Sequence, residues 1–193
     1  MKIGIFGGTF NPPHFGHLIS ASVVKEKLLL DKFFFVPAKI PPHKISTSII
    51  DANLRVEMLK LAISKNQNFD INEIEITRKG ISYTIDTLIF FEEKFPKSQL
   101  FLIIGMDNLF EIHLWKNVEK IFEIANIVVM NRANFSLPKD IDNKFLKQVQ
   151  FVEIPNIEIS STEIRHRIKM NRSIKYFVPE AVEKFILKNN LYV

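Results

Sequence analysis

Residues 1–17 read MKIGIFGGTFNPPHFGH. Ile3, Ile5 and Phe6 make a short apolar strand, which Gly7 and Gly8 break. Asn11-Pro12-Pro13 keeps a helix from starting at once, because proline biases the residue before it away from the α region. From His14 onward, apolar residues recur at helical spacing: Leu18, Ala21, Val24 and Leu28. The predicted order is strand, glycine turn, helix N-terminus. Such a turn aims unpaired backbone N–H groups and a positive dipole end at one spot, which suits an anion. Gly8 has no side chain to block a phosphate approaching the backbone. His14 and His17 lie three residues apart, so their rings share one helix face and can donate to phosphate oxygens.

A buried βα turn with two surface histidines would account for the glycines alone. Glycines, Thr9, prolines and His-x-Gly-His arriving together favour a nucleotide site. Neither G-x-x-x-x-G-K-[ST] nor G-x-G-x-x-G is present. Phosphates are therefore expected to be held without a P-loop lysine and outside the dinucleotide fingerprint.

With 193 residues, 47% of them apolar and 18 of them Phe, the chain reads as one globular domain over 1–193. The net charge of +5 suits anionic substrates, and its scatter along the chain argues against a nucleic-acid face. Lacking cysteine, the chain offers no disulfide, thiolate nucleophile or Cys-ligated zinc. No apolar run approaches the ~18 residues of a membrane span. Gly7 to His14 interrupts any signal-peptide core, so a cytoplasmic location is the expectation. A homo-oligomer is compatible with everything in the sequence.

Further along, KFFFV (32–36) is a strand candidate and AKIPPHKISTSII (38–50) a loop containing Lys44. Asp51 suits the N-cap of a helix reaching about Lys65, with Leu54, Met58, Leu61 and Ala62 on one face. NEIEIT (72–77) alternates as a half-exposed strand does. Ser82-Tyr83-Thr84 opens a helix bearing Ile85, Leu88, Ile89 and Phe91, with a hydroxyl cap expected at its start. QLFLII (99–104) fits a central parallel strand covered on both faces. Asp107 follows its end, either as a helix cap or as a ribose partner. Trp115, the lone tryptophan, sits in the polar stretch HLWKN, either as core or as a ring platform. NIVVM (126–130) and VQFVEI (149–154) are further strands, with a polar connection over 133–144. Arg132 beyond the first of these is either a solvated loop residue or a bidentate phosphate ligand. In ISSTEIR (159–165), Ser161 and Thr162 can cap a helix, and Arg165 opens a basic run to Lys175. Pro179 suits position N1 of a last helix whose Val182, Phe185 and Ile186 close the core.

GGTFNPPHFGH and ISSTEIR together resemble the nucleotidyltransferase superfamily that carries a (T/H)-x-G-H motif. PPHK, SYTIDTL and Trp115 are most similar to its nicotinate-nucleotide adenylyltransferase branch. Many members have Asp where this chain has Asn11; the change removes a charge and keeps a hydrogen-bonding side chain. The resemblance runs from Gly7 to Tyr192. It implies a Rossmann-like α/β fold, with a mainly parallel sheet and helices on both faces. It implies adenylyl transfer from ATP to nicotinate mononucleotide, with Mg²⁺ carried in on ATP and no metal cage in the protein. The catalytic residues implied are His17 and His14. ATP would meet Gly7, Gly8, Thr9, Phe10, Gly105, Asp107, Ser160, Ser161, Thr162 and Arg165 besides the histidines. The mononucleotide would meet Lys44, Tyr83, Thr84, Trp115 and Arg132. A helix start disfavours an imidazolium while a triphosphate favours one; the triphosphate is expected to win, so that ATP binding takes up a proton.

The nearest rivals are adenylyltransferases that use nicotinamide mononucleotide or phosphopantetheine. A non-catalytic nucleotide- or RNA-binding module is a rival of another class. A class I aminoacyl-tRNA synthetase shares His-x-Gly-His, but the chain is short and lacks K-M-S-K-S.

Overall fold

The computed structural model describes residues 1–39, 49–132 and 143–193. Lys44, residues 133–142 and the side chain of Arg132 lie outside the described residues. The strands are β1 (Lys2–Gly8), β2 (Lys32–Pro37), β3 (Asp70–Ile71), β4 (Gln99–Gly105), β5 (Ala125–Arg132) and β6 (Val149–Ile154). The helices are α1 (Phe15–Leu28), α2 (Ala52–Ile63), α3 (Ile74–Thr77), α4 (Thr84–Lys94) and α5 (Met106–Glu111). They continue with α6 (Val118–Ile124), α7 (Asn143–Leu146), α8 (Ser161–Lys169) and α9 (Glu180–Lys188). A 3₁₀ turn at Ile112–Leu114 leads to Trp115.

All described strands run parallel in one sheet of order β3-β2-β1-β4-β5-β6. Ile5 on β1 stands opposite Phe34 on β2 and Leu102 on β4. The chain moves outward from β1 to β3, then returns to β4 on the other side of β1. Order therefore reverses between β1 and β4, the place where open α/β sheets bind ligands.

Parallel neighbours require crossovers, and crossovers of one hand running in opposite directions cover opposite faces of a sheet. Side chains alternate accordingly. Leu100, Leu102 and Ile104 of β4 pack with Ile85, Leu88 and Phe91 of α4 and Ile121 of α6. Phe101 and Ile103 pack on the other face with Ala21 and Val24 of α1 and Leu59 and Ile63 of α2. A third cluster joins Met58 of α2, Ile164 and Ile168 of α8, and Val182 and Ile186 of α9. That cluster brings the last third of the chain back beside the first turn. Among the described residues, no helix is long and apolar enough to cross a membrane.

Several local expectations need correction. Residues 72–77 do not form a strand; β3 ends at Ile71, and Ile74–Thr77 make one helical turn. Asn72 ends the ladder, its N–H reaching Phe35 O at 2.9 Å while its Oδ1 accepts from Ile74 N at 3.0 Å. That side-chain turn competes with strand pairing. Glu75 and Ile76 are both buried, so the alternation did not mark a solvent face. Helix α4 has Tyr83 as N-cap with no side-chain cap bond, so the expected hydroxyl cap is absent. Ser160, not Ser161 or Thr162, caps α8, accepting from Glu163 N at 3.1 Å. Pro179 is the N-cap of α9 rather than its first residue. Helix α2 ends at Ile63, and its buried face includes Arg55, which had been passed over.

The phenylalanines of β1 and β2 form a ring lattice. Phe35 is 0% exposed and lies 5.3–5.8 Å from the rings of Phe6, Phe10, Phe33 and Phe69. Edge-on aromatic pairs add ~0.5–1.5 kcal/mol beyond the area they bury. Phe35→Ala is expected to lower stability by ~3–5 kcal/mol, measured by urea unfolding, because a packed core collapses only partly into such a void.

Candidate active site

The site is built on residues 9–13, which leave the end of β1 without a ladder to continue. Their backbone is satisfied by side chains instead. Arg55 Nη1 donates to Thr9 O at 2.7 Å. Arg165 Nη1 donates to Asn11 O at 2.9 Å, and Ser161 Oγ donates to Pro12 O at 2.8 Å. Tyr192 Oη donates to Asn11 Oδ1 at 2.8 Å, and burial pushes the phenol's pKa upward, which keeps it a donor. A carboxylate at position 11 would accept the same bond. Phe10 takes a left-handed φ of 48° and tucks its ring into the core. Its ring lies 2.8 Å from where a Cβ on Gly8 would stand. Gly8 is thus required by Phe10 as well as by any approaching phosphate.

Helix α1 follows with His14 as N-cap. His14 is 6% exposed and its ring stacks on His17 with centroids 3.7 Å apart. A Cβ on Gly16 would meet His14 Nδ1 at 2.9 Å, so the glycine between the histidines is what lets the first ring fold in. His14 N–H donates to His17 Nδ1 at 3.3 Å. In the neutral ring, that acceptor role leaves the proton of His17 on Nε2. His14 Nδ1 is buried without a hydrogen bond, and burial lowers the His14 pKa to about 4. Burial thus favours a neutral His14 ring in the ligand-free structure, and the expected proton uptake concerns the ATP complex.

Beside this loop, at the order reversal of the sheet, lies a cavity of about 470 Å³. Gly7, Gly8 and Thr9 form one wall; Tyr83, Thr84, Asp107 and Trp115 form another. Trp115 is half-buried, packing against the core while lining the cavity. Gly105 caps α5, and a Cβ there would meet Asp107 Oδ1. His14, His17, Ser160, Ser161, Thr162 and Arg165 do not line this cavity. Bonds from Ser161 and Arg165 to residues 11 and 12 bring the start of α8 against the histidine turn next to it. Thus the glycine wall shares one space with Tyr83, Thr84 and Trp115, and the basic helix start adjoins it.

Sequence reading passed over three contributors. Glu75, 7% exposed, lines the cavity and accepts from Thr87 Oγ1 at 2.6 Å. Burial raises its pKa, opposed by bonds from Thr87 and Ser82. Ser82 Oγ also accepts from Lys39 N at 3.2 Å, which latches the end of β2 to the start of α4. Arg55, 1% exposed, donates to Thr9 O and, through Nε and Nη2, to Ile50 O at 3.2 Å and Lys39 O at 3.4 Å. Neither Glu75 nor Arg55 carries a local signal for its role, since Thr87 lies 12 residues from the one and Thr9 46 residues from the other. Lys116, adjoining Trp115, also lines the cavity. Among the described residues, no group of three or more His, Cys, Asp or Glu side chains is placed to hold a metal.

A profile of the cytidylyltransferase-like family matches residues 5–167. A Clostridium tetani protein named "Probable nicotinate-nucleotide adenylyltransferase" is 42% identical, covering 99% of this chain and 98% of its own. A Dictyoglomus thermophilum protein of the same name is also 42% identical, with 100% of both chains covered. Nicotinic acid mononucleotide adenylyltransferase of Plasmodium falciparum, complexed with NaAD, superposes with a TM-score of 0.81 at 21% identity. That alignment covers 99% of this chain and 97% of the other, and it shows a shared fold.

The buried His14 makes stability depend on pH. Its folded pKa of about 4 lies below the ordinary 6.5, so within that window the unfolded chain binds a proton that the folded chain does not. Stability present above pH 6.5 is expected to fall as pH drops towards 4, by on the order of 3 kcal/mol from this group. Urea titrations of the ligand-free protein across this range should show a shallower fall in His14→Asn.

Proposed function

Because this chain belongs to the cytidylyltransferase-like family, in its nicotinate-nucleotide adenylyltransferase branch, we propose that it transfers the adenylyl group of ATP to nicotinate mononucleotide. The products are deamido-NAD and pyrophosphate, a step of NAD biosynthesis. One observation carries the reading: the glycine wall of β1 and the uncapped start of α4, with Trp115, open into the same cavity.

In the reaction, an oxygen of the mononucleotide phosphate forms a bond to the α-phosphorus of ATP. The bond from that phosphorus to the bridging oxygen breaks in line, and its electron pair leaves with pyrophosphate. The attacking phosphate is already anionic, so no general base and no covalent enzyme intermediate are needed. Positioning of two anions does the work, and near-attack geometry can supply ~7–11 kcal/mol.

His17 Nε2–H and His14 are assigned to the phosphoryl oxygens where charge develops. The backbone of Gly7, Gly8, Thr9 and Phe10 faces ATP; Phe10 acts only through its backbone, because its ring is in the core. Asp107, beside Gly105, is assigned to the ribose hydroxyls. Ser161 has given its one proton to Pro12 O, so it positions the loop rather than binding phosphate. Thr162 Oγ1 accepts from Arg165 Nη2 at 3.2 Å, which keeps its own proton for a ligand. Thr162, Ser160 and the remaining N–H groups of Arg165 are assigned to the β- and γ-phosphates. Mg²⁺ enters on the phosphates as part of the substrate. Trp115 stacks on the pyridine ring, with Lys44 and Arg132 assigned to the mononucleotide. The ring carboxylate meets the first-turn amides at Tyr83 and Thr84, which no side chain caps.

The test is pyrophosphate release with ATP and nicotinate mononucleotide, nicotinamide mononucleotide or phosphopantetheine. The acid is expected to lead the amide by roughly ten- to hundredfold in kcat/KM, since an amide leaves buried donors poorly paired. A lead by either rival acceptor overturns the reading, and absence of turnover with all three makes the chain a binding module. His17→Ala is expected to cost ~10²–10³ in kcat with little change in KM for ATP, as for one lost transition-state donor. Steady-state kinetics on the folded variant decide it.

A further inference from the structure

The described walls of the cavity carry the acidic side chains of Glu75, Asp107 and Glu111, and one basic side chain, Lys116. An acceptor with a ring carboxylate would enter a space whose described charge is mostly of its own sign. Burial favours the neutral form of Glu75, against its hydroxyl donors, while Asp107 and Glu111 are exposed. Arg78, outside the lining, acts on Glu75 and donates through Nη2 to Tyr83 O at 3.5 Å, while Lys116 is the basic side chain in the described wall itself, alongside Asp107 and Glu111. Lys116 follows Trp115 directly, and both residues line the cavity. Its Nζ sits 4.4 Å from the centroid of the Tyr83 ring, across from the start of α4.

We propose that Lys116 is a specificity-determining residue, whose ammonium leaves the Tyr83 ring to pair with the ring carboxylate of the acceptor. The proposal rests on the nicotinate-mononucleotide reading and deepens it. Lys116 is exposed and the Tyr83 ring half-buried, so exchanging the ring for a carboxylate trades a single cation–π contact for a full opposite charge. The carboxylate gains a charge-assisted partner, whereas a carboxamide gains none. Backbone amides at the start of α4 already favour the carboxylate, which offers them two acceptor oxygens where the carboxamide offers one; a full positive charge adds to that discrimination. The neighbouring Glu111 and Asp107 sharpen the effect, because without Lys116 they repel the acid and leave the amide untouched. The side chain is exposed, so replacing it does not disturb the core.

The experiment compares wild type with Lys116→Met and Lys116→Arg, using both pyridine mononucleotides under saturating ATP. Lys116→Met is expected to lower kcat/KM for the acid about tenfold through KM, leaving the amide, KM for ATP and Tm unchanged. Lys116→Arg should keep the wild-type preference. Raising salt to ~0.5 M should erode the acid preference of wild type and not that of Lys116→Met, since the Debye length falls below the reach of a rim charge. A Met variant with the wild-type acid-to-amide ratio overturns the assignment of Lys116 and leaves the function standing. Failure of wild type itself to use nicotinate mononucleotide overturns the function and this assignment together.

Discussion

The structure depends on how the carbonyls of residues 9–13 find donors. This stretch leaves the central strand where the sheet order reverses, so neither neighbour strand can pair with it. Arg55, Ser161, Arg165 and Tyr192 supply the donors, from positions 46, 149, 154 and 181 residues away from their partners. Buried carbonyls left unmet would each cost ~1–3 kcal/mol, which explains why helices α2 and α8 and the C-terminal tail converge on one short loop. The third hydrophobic cluster exists on this account: Met58, Ile164, Ile168, Val182 and Ile186 carry those donors into place.

This arrangement divides the polar groups of the site between architecture and chemistry. Ser161 gives its proton to the loop, while Thr162 keeps one for a ligand. Arg165 gives one nitrogen to Asn11 and another to Thr162, so its guanidinium is aimed before any phosphate arrives. Arg55 is wholly buried and spends its charge on the carbonyls of Thr9, Lys39 and Ile50. A cation placed there braces the loop and also raises the local potential for an anion. The histidine pair shows the same economy: one backbone N–H fixes the tautomer of His17, and stacking fixes the ring of His14. Groups set in advance in this way need little reorganisation when charge develops on a transferring phosphoryl group.

The opposite wall of the cavity is held by a second network. Glu75 takes the hydroxyls of Thr87 and Ser82, and Ser82 takes the N–H of Lys39. The end of β2 and the start of α4 are therefore tied together. Trp115, packed on the core from behind, adds a rigid plane to that piece.

Much of this was legible in the chain itself. Apolar runs at 3–6, 32–36, 99–104 and 126–130 read correctly as strands, because a strand covered on both faces must be apolar throughout. The glycine turn, the paired histidines, Asp107 and Trp115 were legible because each sits at a strand end or helix start, where local pattern marks a boundary. Residues 72–77 misled, because Asn72 ends the strand with its own side chain and Glu75 is buried despite its charge. The caps of α4 and α8 were read one residue or one role away from where they stand, since several hydroxyls in a row look alike in sequence. The sequence by itself thus determined most of the strands, their parallel sheet and the turn that ends the first of them, all consequences of spacing along the chain. Tertiary structure alone decided that Arg55 and Tyr192 brace residues 9–13, that Ser161 is a strut and that Glu75 anchors the far wall. Those roles depend on which distant groups meet in a buried, low-dielectric space, and no periodicity records that.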